Sequence, residues 1–157
     1  MHMSYGIAAC YRGPGLYDTP VVRDMVKSWV AWFKQYRRIL TADIIHVRRP
    51  DGQSIDGIVH VDAGAANGHI AMVAFFNPTQ GPLNASVMLP LYYAGVAPGG
   101  AVNVTRAEPA GALFASPTPQ TGVGGLQLVA NFRSRVRLEL ELAPGKFAMF
   151  LVTVANE

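Results

Sequence analysis

Between residues 42 and 93 the chain alternates short apolar runs with residues that favour reverse turns. The runs are rich in Ile, Val and aromatic side chains, which fit the half-buried, pleated surface of a β-sheet. Gly, Pro, Asn and Asp separate them, and these residue types supply the fixed or positive φ that a chain reversal needs. The region therefore predicts antiparallel strands at Ile44–Val47, Ile58–Val61, Ile70–Phe76 and Val87–Leu91.

The last part of the chain continues this pattern after loops rich in Gly, Pro, Ser and Thr. Between residues 133 and 142 charged residues alternate with Val and Leu, which is typical of a strand with one wet face and one core face. Together the runs predict an antiparallel β-sandwich of about seven or eight strands rather than an open sheet. The additional strands are expected at Ala101–Arg106, 126–132, Arg133–Leu142 and Phe147–Val154.

One segment before the strands has helical periodicity. Thr19 suits an N-cap, and Pro20 suits the first helical position. Apolar residues follow at alternating spacings of four and three, which places them on one face. We expect an amphipathic helix over Pro20–Leu40 whose aromatic face packs on the β domain, on another domain or on a second copy. A helix lying on a membrane surface is the poorer alternative, because the charge is modest and no long basic face exists. The apolar stripe comprises Val22, Val26, Trp29, Phe33, Tyr36 and Leu40, with Met25 and Trp32 beside it.

The length of 157 residues predicts one domain, or one domain plus an appendage. We expect residues 1–41 to form an N-terminal arm and helix, and residues 42–157 to form the sandwich domain. The net charge of +3 is small and its Lys and Arg residues are scattered, which disfavours nucleic acid as a partner. The single cysteine, Cys10, excludes an internal disulfide and a cysteine-cluster zinc site.

No apolar run approaches the roughly 20 residues that span a bilayer. The first residues lack the pattern of a signal peptide, and the sequence indicates no particular location.

Several side chains could carry chemistry. His46, His60 and Asp62 can be imagined as a metal site of two histidines and a carboxylate, if they converge; otherwise they are structural. A pair of carboxylates could serve glycoside or phosphoester chemistry, although Asp51, in Pro-Asp-Gly, is more simply a turn former. The carboxylate candidates are Asp43, Asp51, Asp56 and Asp62.

Aromatic side chains offer a different function. Tyr92 and Tyr93, with Phe114, could stack on a sugar, although packing within the protein is the alternative. No phosphate-binding or dinucleotide-binding glycine motif is present, and the sequence implies no cofactor.

Two stretches, Phe76-Asn77-Pro78-Thr79 and Leu89-Pro90-Leu91-Tyr92-Tyr93-Ala94-Gly95, resemble a known family. Together with the helix and the segment through Gly52, they are similar to the C-terminal region of bacterial α-galactosidase-like glycoside hydrolases. In that family the last helix of a catalytic (β/α)₈ barrel leads into an antiparallel β-sandwich. The similarity covers residues 4–95, and the rest of the chain agrees in strand pattern alone.

The resemblance implies a chain that does not catalyse, because the acid and nucleophile of such enzymes lie on barrel strands upstream of Met1. The chain would be an accessory domain that packs against and stabilises the missing barrel. Residues 5–17 resemble the last barrel strand and its loop, so Tyr11 and Arg12 would line a substrate pocket. Without the barrel, we expect self-association through the helix, as an isologous dimer or a swapped arm. An independent carbohydrate-binding module and a small metal-dependent enzyme are the alternatives.

Overall fold

The computed structural model describes residues 19–109 and 126–155. The expectations for Tyr11, Arg12 and Phe114 lie outside these ranges. Within them the chain forms one α-helix, a short 3-10 helix and eight strands, which confirms the predicted mainly β fold with one preceding helix. The elements are α1 (Pro20–Leu40), β1 (Asp43–His46), β2 (Asp56–Val61), β3 (His69–Phe76), β4 (Leu83–Pro90), the 3-10 helix (Leu91–Ala94), β5 (Ala101–Arg106), β6 (Leu126–Val129), β7 (Arg135–Leu142) and β8 (Phe147–Val154).

The strands form two antiparallel sheets that pack as a sandwich. The larger sheet has six strands in the order β1-β2-β3-β8-β5-β6, and the smaller one pairs β4 with β7. Side chains of alternating residues fill the space between the sheets, so the predicted inward row of β7 is buried along its whole length. On the inner face of the larger sheet, Phe75 of β3 and Phe150 of the neighbouring strand β8 meet edge to face with ring centroids 6.2 Å apart.

Several predicted strand boundaries are wrong, including those of β4, β6 and β7. β4 begins at Leu83 instead of Val87, and Leu91 starts the 3-10 helix instead of ending the strand. β6 ends at Val129 and β7 begins at Arg135, because a tight turn separates them.

That turn is built by the side chain of Asn131. Its carbonyl oxygen accepts hydrogen bonds from the backbone N–H groups of Arg133 and Arg135, at 2.9 and 3.1 Å. Ser134 has a φ of 53°, in the left-handed region that non-glycine residues rarely adopt. An asparagine that bonds its own backbone in this way competes with strand pairing, so the predicted strand up to residue 132 stops early.

Helix α1 covers the outer face of the larger sheet. Thr19 caps it by accepting a hydrogen bond from the N–H of Val22 at 3.2 Å. The indole N–H of Trp32 donates to the backbone carbonyl of Ala107, which follows β5. Trp32, expected only to widen the apolar face, is the most buried aromatic residue of the helix.

The expectation that the helix packs on the β domain is confirmed, while the domain boundary at residue 41 stays a prediction. The residues of this second core are Trp32, Ile39 and Leu40 from the helix and Ile58, Met72, Ala74, Ala107, Met149 and Leu151 from the sheet side.

Asn77 stabilises the corner where the chain leaves the larger sheet and crosses to β4. Its side chain is fully buried and its amide N–H groups donate to the backbone carbonyls of Gly81 and Leu142, each at 2.8 Å. Its carbonyl oxygen accepts from the N–H and the hydroxyl of Thr79, at 2.9 and 2.8 Å. The Asn-Pro-Thr stretch that carries part of the family resemblance is therefore a corner joining the two sheets.

Candidate functional site

The exposed tyrosine pair follows β4 on the 3-10 helix. Leu91 and Ala94 are buried and hold this helix on the core, so the two residues between them point outward. Tyr92 is 70% exposed and Tyr93 is 56% exposed, and their rings meet edge to face with centroids 5.5 Å apart. Gly95 then ends the helix with a φ of 79°, which glycine adopts without strain. The structure thus places both predicted residues on the surface.

The turn between β6 and β7 lies beside this pair. The backbone N–H of Leu91 donates to the carbonyl of Ser134 at 3.0 Å, which brings the turn next to the 3-10 helix. Phe132 in that turn is 78% exposed, and the guanidinium of Arg133 lies 5.1 Å from the centroid of its ring.

We call Tyr92, Tyr93, Phe132 and Arg133 the aromatic surface. The sequence pattern does not reveal Phe132 and Arg133 as part of this surface, because it predicts a strand over residues 126–132 and another from Arg133. The turn formers Asn131 and Ser134 on either side were the signal that could have found it.

The aromatic surface can take part in two kinds of contact. Exposed aromatic rings stack on the apolar faces of sugar rings, and Tyr, Phe and Arg are also the residue types that contribute most at protein interfaces. An edge-to-face tyrosine pair presents two ring planes at a steep angle instead of one flat platform.

Asp51 is engaged in a turn at the opposite end of the sandwich. Its Oδ1 accepts hydrogen bonds from the backbone N–H groups of Gln53 and Ser54, each at 2.9 Å, and the Ser54 hydroxyl donates to both carboxylate oxygens. Arg48 completes the set with Nη2 2.6 Å from Oδ2. The Ser54 hydroxyl, followed by the Gln53 N–H, lowers the pKa of Asp51 from 3.8 to about 2. These contacts fit the role of Asp51 as a turn former.

Asp56 lies near Asp51 and behaves in the opposite way. It opens β2, it is partly buried, and its Oδ1 has no hydrogen-bond partner within the described part of the chain. Burial, and then the negative charge of Asp51, raises the pKa of Asp56 above 3.8. Two carboxyl groups whose pKa values are pushed apart are a common arrangement in acid–base chemistry. Here the oxygens of Asp51 are already occupied by its own turn, so the pair presents one available group instead of two.

The three residues of the imagined metal site lie in three different environments. His60 is buried at 2% exposure in β2, under α1, with no partner for Nδ1, and burial lowers its pKa below 6.5. His46 is exposed near the end of β1, opposite Ile58. Asp62 is held by Arg38, whose Nε lies 2.7 Å from Oδ2. In residues 19–109 and 126–155, no group of three or more His, Cys, Asp and Glu side chains is placed to hold a metal ion.

Within those same ranges, no helix has both the length and the apolar character that crossing a membrane requires.

Neither a family model nor a curated protein matches the chain. Solved structures do match it. A proposed α-N-acetylgalactosaminidase of Bacillus halodurans is similar over 73% of this chain, with a TM-score of 0.43 and 16% sequence identity. A GH27 β-L-arabinopyranosidase of Geobacillus stearothermophilus is similar over 72% of this chain, with a TM-score of 0.41 and 16% identity. The matched region spans 20% of the length of each of these two proteins. Because both TM-scores are below 0.5, neither likeness supports an argument about function.

Proposed function

We propose that this chain is a non-catalytic β-sandwich accessory domain of a glycoside hydrolase, which packs against and stabilises a catalytic barrel. The observation that carries the proposal is that three carboxylates of the chain bind other groups of the protein itself. Asp51 closes a turn, Asp62 binds the helix through Arg38, and Glu108 accepts the backbone N–H of Met149 at 2.6 Å. Glycoside hydrolysis needs two carboxyl groups that face the same substrate, one as an acid and one as a base or nucleophile. Side chains that already bind the protein itself are poorly suited to those roles.

The two stretches that carry the family resemblance support the same proposal. Asn77 joins the two sheets, and Leu91 anchors the 3-10 helix in the core. At these positions the residues that carry the resemblance stabilise the fold and have no catalytic part. The resemblance therefore supports a domain that packs against a barrel.

Helix α1 is the element that would connect this domain to a barrel. In the family that the sequence resembles, this helix is the last one of the barrel. Here its aromatic residues lie on the outer face of the sandwich, and Arg38 adds a second contact to the carbonyl of Gly64 at 2.8 Å. A helix that belongs to a barrel and is fixed to a sandwich would hold the two domains in one orientation.

The reading frame on the 5′ side of the Met1 codon tests the proposal. We expect it, or an adjacent gene, to encode a (β/α)₈ barrel with paired carboxylates at the carboxyl ends of its strands. A stop codon directly upstream, together with neighbouring genes that encode no such barrel, would contradict the proposal.

A carbohydrate-binding module is a second candidate, favoured by the exposure of Tyr92 and Tyr93. We expect calorimetric titration with a panel of oligosaccharides to detect binding if this candidate is right. Tyr92→Ala and Tyr93→Ala would then each weaken binding by about tenfold, because a stacked aromatic ring contributes on the order of 1 kcal/mol or more.

The matched control is Val21→Ala, which alters a side chain with 70% exposure on α1, the same exposure as Tyr92. Titration that detects no binding to any sugar of the panel would contradict the carbohydrate-binding candidate.

A further inference from the structure

Among residues 19–109 and 126–155, strand β7 has one edge without a paired strand. The smaller sheet contains two strands, and among the described residues β7 is paired with β4 alone. It runs for eight residues from Arg135 to Leu142 without a proline, and its register with β4 is continuous from end to end. A long, regular edge strand presents unpaired N–H and C=O groups to any chain that can pair with it.

The other edge strands are protected. β1 and β6, at the two ends of the larger sheet, have four residues each. β4 follows Pro82 and ends at Pro90, and proline cannot donate to a strand ladder. Short strands and prolines are two of the means by which proteins prevent pairing at an edge, and charged side chains are a third. β7 is neither short nor interrupted by proline, and its exposed charges are of both signs, so among these edges it is the one best able to accept a strand with the opposite order of charges.

The outward row of β7 has an order of charges that fits a second copy of itself. Arg135 and Arg137 occupy its first half, and Glu139 and Glu141 occupy its second half, all of them exposed. If two copies of β7 run antiparallel with Leu138 opposite Leu138, each arginine lies opposite a glutamate: Arg135 faces Glu141 of the second copy, and Arg137 faces Glu139 of the second copy. Opposite charges at directly facing positions stabilise a strand pair, and like charges destabilise it.

The charges also select one register. Moving the centre of the pair to position 137 would set the two copies of Arg137 against each other, and moving it to position 139 would do the same for Glu139. A centre at Leu138 avoids both conflicts. It also sets Val136 opposite Leu140 of the second copy on the row that faces the core.

We propose that the protein forms an isologous dimer in which β7 of two copies pairs antiparallel about Leu138. The two smaller sheets then become one four-stranded sheet in the order β4-β7-β7-β4, with the two-fold axis between the two Leu138 residues. This interface is separate from the helix. The aromatic face of α1 is already packed on its own sheet.

Sedimentation velocity of the full chain over a wide concentration range tests the proposal, in a reductant that prevents crosslinking through Cys10. We expect a reversible dimer in the wild type. Arg137→Glu places like charges at both symmetry-related contacts and is expected to weaken dimerisation by about tenfold or more. Arg137→Glu combined with Glu139→Arg exchanges the two charges, restores opposite charges at both contacts, and is expected to recover the wild-type affinity.

Lys34→Glu is the matched control, because it reverses one exposed charge on α1 and should leave dimerisation unchanged. Circular dichroism of each variant checks that the strands are retained. A wild type that remains monomeric at the highest concentration would overturn the proposal. So would a single variant that dimerises as tightly as the wild type, a double variant that stays as weak as the single one, or a dimer that Lys34→Glu disrupts while Arg137→Glu does not.

Discussion

At the scale of single residues, the polar groups with the largest consequences are buried. Asn77 satisfies four hydrogen-bonding partners from a position with no exposure, and His60 lies in the helix-covered layer with one ring nitrogen unpaired. The two differ in the sign of their effect. A buried polar side chain whose groups are all paired stabilises the fold. Burial of a titratable ring such as that of His60 shifts its pKa and therefore makes stability depend on pH.

Replacing Asn77 with Ala should destabilise the protein. The change would remove the donors to the carbonyls of Gly81 and Leu142 and leave buried carbonyl groups without partners. We expect the free energy of unfolding to fall by about 2–4 kcal/mol, measured by urea denaturation. Asn84→Ala, at an exposed position of β4, is the control and should change it by less than about 0.5 kcal/mol. Equal effects of the two substitutions would show that the corner does not depend on the Asn77 side chain.

His60 should make stability depend on pH in the weakly acidic range. Burial lowers its pKa in the folded state, so the unfolded chain takes up this proton at a higher pH than the folded chain does. The stability gained from neutral His60 is therefore complete above a pH of about 6.5 and is lost as the pH falls below that value. Asp56 contributes with the opposite sign, because its pKa is raised on folding and its contribution is lost as the pH rises.

The difference between variants isolates the histidine. We expect the urea midpoint of the wild type to fall between about pH 7 and pH 5, and that of His60→Leu to fall less over the same range. Asp56 is present in both proteins, so its contribution cancels in the comparison. His46→Leu, at an exposed histidine of β1, should follow the wild type. The assignment would be wrong if His60→Leu and His46→Leu gave the same pH profile.

Only part of this residue-level picture could be predicted from the sequence. The turn role of Asp51 was evident in Pro-Asp-Gly, because those residues favour a reversal whatever surrounds them. The burial of His60 was not evident. Its strand was predicted, but nothing in the local pattern says that a helix covers that face of the sheet.

At the scale of elements, α1 depends on a small number of large side chains. Trp32 is the most buried of its aromatic residues and also donates its indole N–H to the carbonyl of Ala107. Around it, Trp29 and Tyr36 contact its ring with centroids at 5.4 Å in each case. Trp29 and Tyr36 in turn contact the rings of Phe147 and His69 on the larger sheet, and Ile39 and Leu40 are buried beside them.

Trp32→Ala should loosen that contact. We expect the free energy of unfolding to fall by about 3–5 kcal/mol, because the substitution removes a large buried side chain and leaves a cavity. Val21→Ala, on the same helix at 70% exposure, should change it by less than about 0.5 kcal/mol. Urea denaturation followed by circular dichroism measures both. A small effect of Trp32→Ala would mean that the helix is not held on the sheet by this residue.

The elements themselves were largely predictable, and their arrangement was not. Helix α1 and strand β8 were predicted with the bounds that the structure shows, because each has a strong and regular periodicity. The order of the larger sheet was not predicted. β8 lies between β3 and β5, and such pairing of distant segments depends on tertiary contacts that no local pattern specifies.

At the scale of the whole molecule, three layers are stacked: helix α1, the six-stranded sheet and the two-stranded sheet. The first interface is rich in aromatic side chains, and the second is made mainly of aliphatic ones. Asp51, Asp62 and Glu108 bind a turn, a basic side chain and the backbone of the protein itself, whereas Asp56 has no partner for Oδ1 within the described residues. Three aromatic side chains of the aromatic surface, Tyr92, Tyr93 and Phe132, are among the exposed large hydrophobic residues of the described part of the chain.

Turnover of glycosides by the purified chain is the most direct measurement of the central claim. With a panel of chromogenic α- and β-glycosides, the account predicts no release of the leaving group above the rate without protein, at every pH tested. Asp56→Asn, which alters the carboxyl group with the raised pKa, should give the same result as the wild type. Measurable turnover by the wild type that Asp56→Asn or Asp51→Asn abolishes would contradict the account, because the chain would then carry a catalytic carboxylate of its own.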